Sequence, residues 1–176
     1  VQPEEKPGTG DDGARERALG VARLARGKRH HMPALVRPEH TDHRLPDAAM
    51  KHDIATVTAL LAEGVDPNAR GQFDTPALLW LARVDEVEAA RKLLQAGADA
   101  NIKTPDGITA LSLAVANGGT AMVAALLEAG ADANTLEPSG ESMLMSAAAV
   151  GVAGVVSALI EHGADVNAAD ATYGQT

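Results

Sequence analysis

The chain has 176 residues, no Cys, only three aromatic side chains (Phe73, Trp80 and Tyr173) and a formal net charge of −9 at pH 7. The missing thiols exclude disulfide frameworks, thiolate metal sites, covalent haem attachment and cysteine nucleophiles, and no apolar run reaches the ~18 residues that cross a bilayer. Charge is divided unevenly: residues 1–44 carry nine Lys/Arg against seven Asp/Glu, and residues 45–176 carry six against seventeen, so the larger part would repel a phosphate backbone and nucleic-acid binding is disfavoured.

In chain order, residues 1–13 (VQPEEKPGTGDDG) are rich in Pro, Gly and charge and are expected to be a disordered tail or linker. The chain starts at Val1, and no apolar segment near it resembles a signal peptide, so compartment is not legible and a mature or trimmed product is expected. From Ala14 to Gly27 apolar residues fall on one helical face, which predicts a short helix over 14–27. Lys28-Arg29-His30-His31 then leads through Pro33 and Pro38 to His40 and His43. Prolines between the histidines deny them the fixed spacing that would let them converge on an ion, so this stretch reads as a solvated basic connector rather than a metal site. Residues 1–44 thus form a charged N-terminal extension.

From Leu45 the residues fall into columns of period 33. Gly64-Val65-Asp66-Pro67-Asn68 returns as Gly97-Ala98-Asp99-Ala100-Asn101, Gly130-Ala131-Asp132-Ala133-Asn134 and Gly163-Ala164-Asp165-Val166-Asn167. A period of this length marks a stacked array, in which each unit buries its apolar face on the next. Leu45, Leu78, Leu111 and Leu144 form one column, followed at i+3 and i+4 by Ala48, Leu81, Ala114, Ala147 and by Ala49, Ala82, Val115, Ala148, which predicts a short first helix with a small-residue stripe. A break follows, at which glycine, Asp53, Asp85 and Thr120 are expected to turn the chain and cap a longer second helix carrying Leu60, Leu93, Leu126 and Leu159. The glycine after each second helix suits the left-handed stop position. The opening turns carry Asp106-Gly107 and Ser139-Gly140.

The unit of turn, short helix, longer helix and Gly-Ala-Asp-x-Asn resembles the ankyrin repeat. Asp106-Gly107-Ile108-Thr109-Ala110-Leu111-Ser112-Leu113-Ala114 is similar to the family's D-G-x-T-P-L-H-x-A, with Ala in place of Pro and Ser in place of His. The resemblance implies an all-α ankyrin-repeat solenoid of helix-turn-helix units with turn fingers, divided as 45–69, 70–102, 103–135 and 136–168, with residues 169–176 resembling the start of a further unit. In the second unit Thr75-Pro76 sits one residue ahead of the period, which predicts a finger one residue short. The first unit lacks the turn glycine, as an edge unit would, whereas the fourth is expected to lack a capping neighbour, so a longer array, another domain or a partner subunit is expected to meet it. The Ala- and Arg-rich composition resembles bacterial members of the family.

No nucleophile elbow, H-E-x-x-H, phosphate-cradling loop or calcium loop occurs, and Asp66, Asp99, Asp132 and Asp165 recur once per unit, as an architectural residue does. The chain is therefore expected to be a non-catalytic protein-interaction module with no cofactor and no metal. The alternative is a spacer or assembly segment of a larger protein whose activity lies elsewhere. The resemblance implies that partners dock on a concave face lined by turn tips and first helices. There, Trp80, aligned with Asp47, Leu113 and Ser146, is the leading contact candidate. Turn-tip candidates are Arg70, Gln72 and Phe73, then Lys103, Thr104 and Asp106, then Glu137 and Ser139, then Asp170 and Tyr173. The acidic array suggests a partner with a basic or mixed surface.

Overall fold

The computed structural model describes residues 42–168. The predicted helix over 14–27, His30, His31, His40, Asp170 and Tyr173 lie outside the described residues. Among the described residues eight α-helices follow one another in pairs: α1 (Arg44–Met50) with α2 (Ile54–Ala62), α3 (Ala77–Arg83) with α4 (Val87–Gln95), α5 (Ala110–Asn117) with α6 (Thr120–Glu128), and α7 (Met143–Val150) with α8 (Ala153–Glu161). The first helix begins at Arg44, one residue ahead of the first periodic leucine. First helices pack on first helices along the chain, second on second, and each pair packs internally, so the array is two helices thick.

The period of the apolar residues explains this layering. Leu45, Leu78 and Leu111 are buried on successive first helices, Val57, Ala90 and Val123 on successive second helices, and together they belong to one continuous core. Small residues allow the close approach: Ala82, Ala114 and Val115 are fully buried between neighbours. The first helices are seven or eight residues long and the second helices nine, lengths at which an isolated helix is marginal in water. The helices are therefore held by stacking rather than by propensity.

Helix ends follow the same period. After α6, Gly130 takes φ 91° while its N–H donates to the Leu127 carbonyl and the Ala131 N–H to the Leu126 carbonyl, the paired bonds of a Schellman stop. Between the two helices of each unit the chain turns through His52, Asp85, Gly118 or Gly151, all left-handed, with φ 58° at the two non-glycine positions. Asp53 caps α2 as expected, its carboxylate accepting from the Thr56 N–H at 3.0 Å. Asp85 turns the chain as expected but caps no helix, and the cap expected at Thr120 is likewise corrected. Asp85 is the left-handed residue ahead of N-cap Glu86, which makes no side-chain cap, and Thr120 is already helical, behind N-cap Gly119. The backbone has to reverse before the helix can start, and the reversal takes up Asp85.

Between units the chain forms fingers closed by single antiparallel bridges, Arg70 to Pro76, Lys103 to Thr109 and Leu136 to Ser142. The predicted short finger of the second unit is corrected by this pairing. All three bridges span the same number of residues, and Gly71 N–H to Thr75 O has its counterparts in Thr104 to Ile108 and Glu137 to Glu141. Asp74, at φ 53°, occupies the position of Gly107 and Gly140, and Phe73 beside it also takes φ 60°. The finger keeps its length by accepting a left-handed backbone at two non-glycine residues.

Candidate functional site

The recurring Gly-Ala-Asp-x-Asn stretch is a joint between units. In each copy the Asp carboxylate accepts the N–H of its own Asn, as Asp99 does from Asn101 at 2.9 Å. The Asn side chain then reaches the next unit: Asn101 Nδ2 donates to the Gly130 carbonyl at 2.8 Å, and its Oδ1 accepts the Asp132 N–H at 2.8 Å. Asn68 makes the same two bonds to Gly97 and Asp99, and Asn134 to Gly163 and Asp165. These acidic residues therefore serve the stacking. The buried polar side chains, Thr109, Ser112, Thr135 and Ser142, include the helix caps: Thr109 and Ser112 form a reciprocal capping box on α5, and Ser142 caps α7. Among the described residues no group of acidic or histidine side chains is arranged to hold a metal ion, and no helix is long and apolar enough to cross a membrane.

Away from the joints, the contact candidates occupy two adjoining strips. On the first helices, Trp80 of α3 and Leu113 of α5 are half-buried, each with one side packed on the core, and Asp47 and Ser146 are half-buried at the same register. The fingers adjoin this strip. A Cβ built on Gly71 would stand 2.7 Å from Pro46 Cβ and 3.6 Å from Asp47 Oδ1, so the base of the first finger rests against α1 and needs glycine there.

The finger residues divide by the work they already do. Arg70 is a brace: it donates to the Asp74 carboxylate at 3.0 Å, to the Asp74 carbonyl at 3.0 Å and to the Lys103 carbonyl of the next finger at 3.1 Å. The Arg70 carbonyl in turn accepts from His43 Nδ1 at 2.6 Å, which places the proton on that nitrogen. Thr104 accepts the Ile108 N–H within its own finger. Gln72, Lys103, Asp106 and Ser139 are exposed, and Phe73 is 74% exposed at the tip. Glu137 is half-buried, and burial together with the neighbouring Glu141 charge raises its pKa above the ordinary carboxylate value.

One exposed apolar residue of the fingers escapes a sequence reading. Leu136 in the third finger is 49% exposed and shares a column with Arg70 and Lys103. The signal was present as a large apolar residue where the two preceding units carry Arg70 and Lys103, although a leucine in a leucine-rich chain carries no mark of exposure by itself.

A family model described as ankyrin repeats (3 copies) matches residues 45–137 and again residues 78–170. No curated protein matches the chain. The matched span runs over most of the sequence and coincides with the helix pairs, fingers and joints described above, and on that evidence the chain belongs to the ankyrin-repeat family.

Proposed function

We propose that the array is a non-catalytic recognition module that binds a protein partner through the first-helix strip and the fingers, with Trp80 and Phe73 as its apolar anchors. Ankyrin repeats are generally protein–protein interaction modules, and the fold itself does not specify a ligand. The observation that carries this reading is Phe73: a large apolar side chain, 74% exposed, on a backbone at φ 60° with a second left-handed residue after it. Left-handed backbone costs a non-glycine residue about 1–2 kcal/mol, and exposing phenylalanine gains nothing for the fold. A residue that serves stability would be neither. Trp80 and Leu113 supply apolar surface on the helix strip, and the acidic balance of residues 45–176 favours a partner with a basic or mixed surface around an apolar spot.

The test separates binding from folding. Partners recovered by crosslinking and mass spectrometry from the native protein are titrated against the wild type, Trp80→Ala and Phe73→Gly. Loss of a hot-spot tryptophan is expected to weaken binding by ~2 kcal/mol, about 30-fold. Phe73→Gly removes the anchor while relieving the left-handed strain, so binding is expected to fall while the unfolding midpoint stays the same or rises. Unchanged affinity in both folded variants would overturn the assignment of the anchors.

A further inference from the structure

Five asparagines occur in the chain, and Asn117 stands outside the joints formed by the others. It is the last residue of α5 and reaches back to the preceding unit: its Nδ2 donates to the Arg83 carbonyl at 2.9 Å and to the Ala82 carbonyl at 3.2 Å. Both belong to the last turn of α3, where a helix leaves its carbonyls without partners four residues on. Asn117 therefore caps the C-terminus of α3 from the next unit. Its column holds Lys51, Val84 and Val150 elsewhere, so this carboxamide clamp occurs once among the described residues.

The residue that follows sets Asn117 apart chemically. Asparagine is thermolabile: the next backbone nitrogen can attack its side-chain carbonyl carbon, and a Cβ on that next residue obstructs the attack. Asn68, Asn101, Asn134 and Asn167 are followed by Ala69, Ile102, Thr135 and Ala168, whereas Asn117 is followed by Gly118, which has no Cβ. The fold leaves no alternative to glycine there. Gly118 is left-handed at φ 66°, and a Cβ added to it would stand 2.9 Å from Val152 Cγ2.

In the stacked array both reacting groups are held. The Gly118 N–H donates to the Val115 carbonyl at 2.9 Å, closing α5, and the carboxamide is tied to α3 by its two bonds. Asn117 is nonetheless exposed, so water reaches it. Attack therefore waits on one event, the separation of α5 from α3, which releases the carboxamide and lets the end of α5 fray.

We propose that Asn117 and Gly118 form a deamidation site gated by the stacking of the second and third units, and that the product keeps the opened interface from closing. When α5 leaves α3, the Gly118 nitrogen bonds to Asn117 Cγ, its proton passes through water to the departing nitrogen, and the Cγ–Nδ2 bond breaks with release of ammonia. Water then opens the cyclic imide at either carbonyl and leaves aspartate or isoaspartate at 117. Ionised aspartate offers only acceptors to the Ala82 and Arg83 carbonyls, and it adds negative charge at the C-terminus of α3, where the helix dipole is already negative. The Asp85 carboxylate lies on the same turn: a Cβ built on Gly119 would stand 2.5 Å from its Oδ1. Isoaspartate also routes the chain through an extra backbone carbon. A transient opening of the stack is thus recorded in covalent form.

Peptide mapping by mass spectrometry follows the exchange of ammonia for water at each asparagine of the full chain, folded in buffer and unfolded in urea. In urea Asn117 is expected to convert faster than the other asparagines, and in buffer to convert more slowly than in urea by roughly tenfold or more, since reaction there is limited to the opened population. Asn101→Ala breaks the joint between the same two units without touching residue 117. It is expected to speed conversion at 117 in buffer by roughly tenfold and to leave the rate in urea unchanged. Asn117→Asp supplies the product directly and is expected to lower the urea midpoint further than Asn117→Ala, which removes the clamp without adding charge. Equal rates at 117 in buffer and urea, no acceleration by Asn101→Ala, or an Asn117→Asp chain as stable as Asn117→Ala would overturn the proposal.

Discussion

At the scale of single residues, the recurring side chains that lie between two described units already have their hydrogen bonds inside the array. Asn101 joins two units through two bonds of 2.8 Å. Asn101→Ala leaves the Gly130 carbonyl and Asp132 N–H to water, and because the joint is exposed the expected cost is ~1–2 kcal/mol, read as a lower urea midpoint. Glu137 behaves in the opposite sense. Burial and Glu141 raise its pKa in the folded state, so the group favours folding below its unfolded pKa, and that contribution is lost as pH rises through the folded value. At pH 7 its carboxylate is therefore a burden. Glu137→Gln is expected to raise the unfolding free energy there by less than ~1 kcal/mol given solvent screening, read as a higher thermal midpoint, with the gain fading below about pH 4, where both states are protonated. An unchanged pH profile would show that the raised pKa has no energetic consequence. Asp53 titrates in the ordinary direction: Thr56 holds its pKa down through hydroxyl and N–H bonds, so its stabilising effect is lost as pH falls through that lowered value.

At the scale of elements, short helices depend on their ends. α5 is eight residues long and starts with a reciprocal capping box: Ser112 N–H donates to Thr109 Oγ1 at 3.0 Å, and Thr109 N–H donates to Ser112 Oγ at 3.1 Å. Thr109 is also buried and adjoins the Lys103–Thr109 bridge that closes its finger. Thr109→Ala is expected to cost ~1–2 kcal/mol, and hydrogen exchange is expected to localise the loss to α5 and the second finger. Column position made α5, its partner α6 and the glycine stops legible in the sequence. The caps of the second helices were less legible, because Asp53 and Asp85 stand one residue apart in the period and only Asp53 falls where the N-cap geometry lies.

For the molecule as a whole, each unit contacts only its neighbours along the stack, so the cost of a substitution depends on whether a neighbour covers it. Leu127 and Ile160 illustrate this. Leu127, buried in the third unit, which the fourth unit follows, is expected to cost ~2–5 kcal/mol as Leu127→Ala and to shift the entire transition. Ile160, 46% exposed on the outer face, is expected to cost less than ~1 kcal/mol as Ile160→Ala in the same urea measurement. Similar penalties at the two sites would mean that Ile160 is already covered.

The sequence by itself determined the architecture: a 33-residue repeat of Leu, Ala, Gly, Asp and Asn marks a stack of helix pairs, with the Gly-Ala-Asp-x-Asn stretch as the joint between layers. Repetition made this legible, since four copies separate what the stack requires from what varies. The candidate contact residues were legible only as departures from the columns, and the departures did not reveal what each side chain already does. Arg70 proved to be tied to Asp74 and Lys103 while Phe73 and Leu136 stand in solvent. An uncapped apolar side on the fourth unit was expected from the columns, but which residues on it are open, and by how much, was decided by tertiary structure. Leu127 and Ile160 occupy the same column, and one is buried and the other open because burial in a linear stack belongs to the neighbour rather than to the residue.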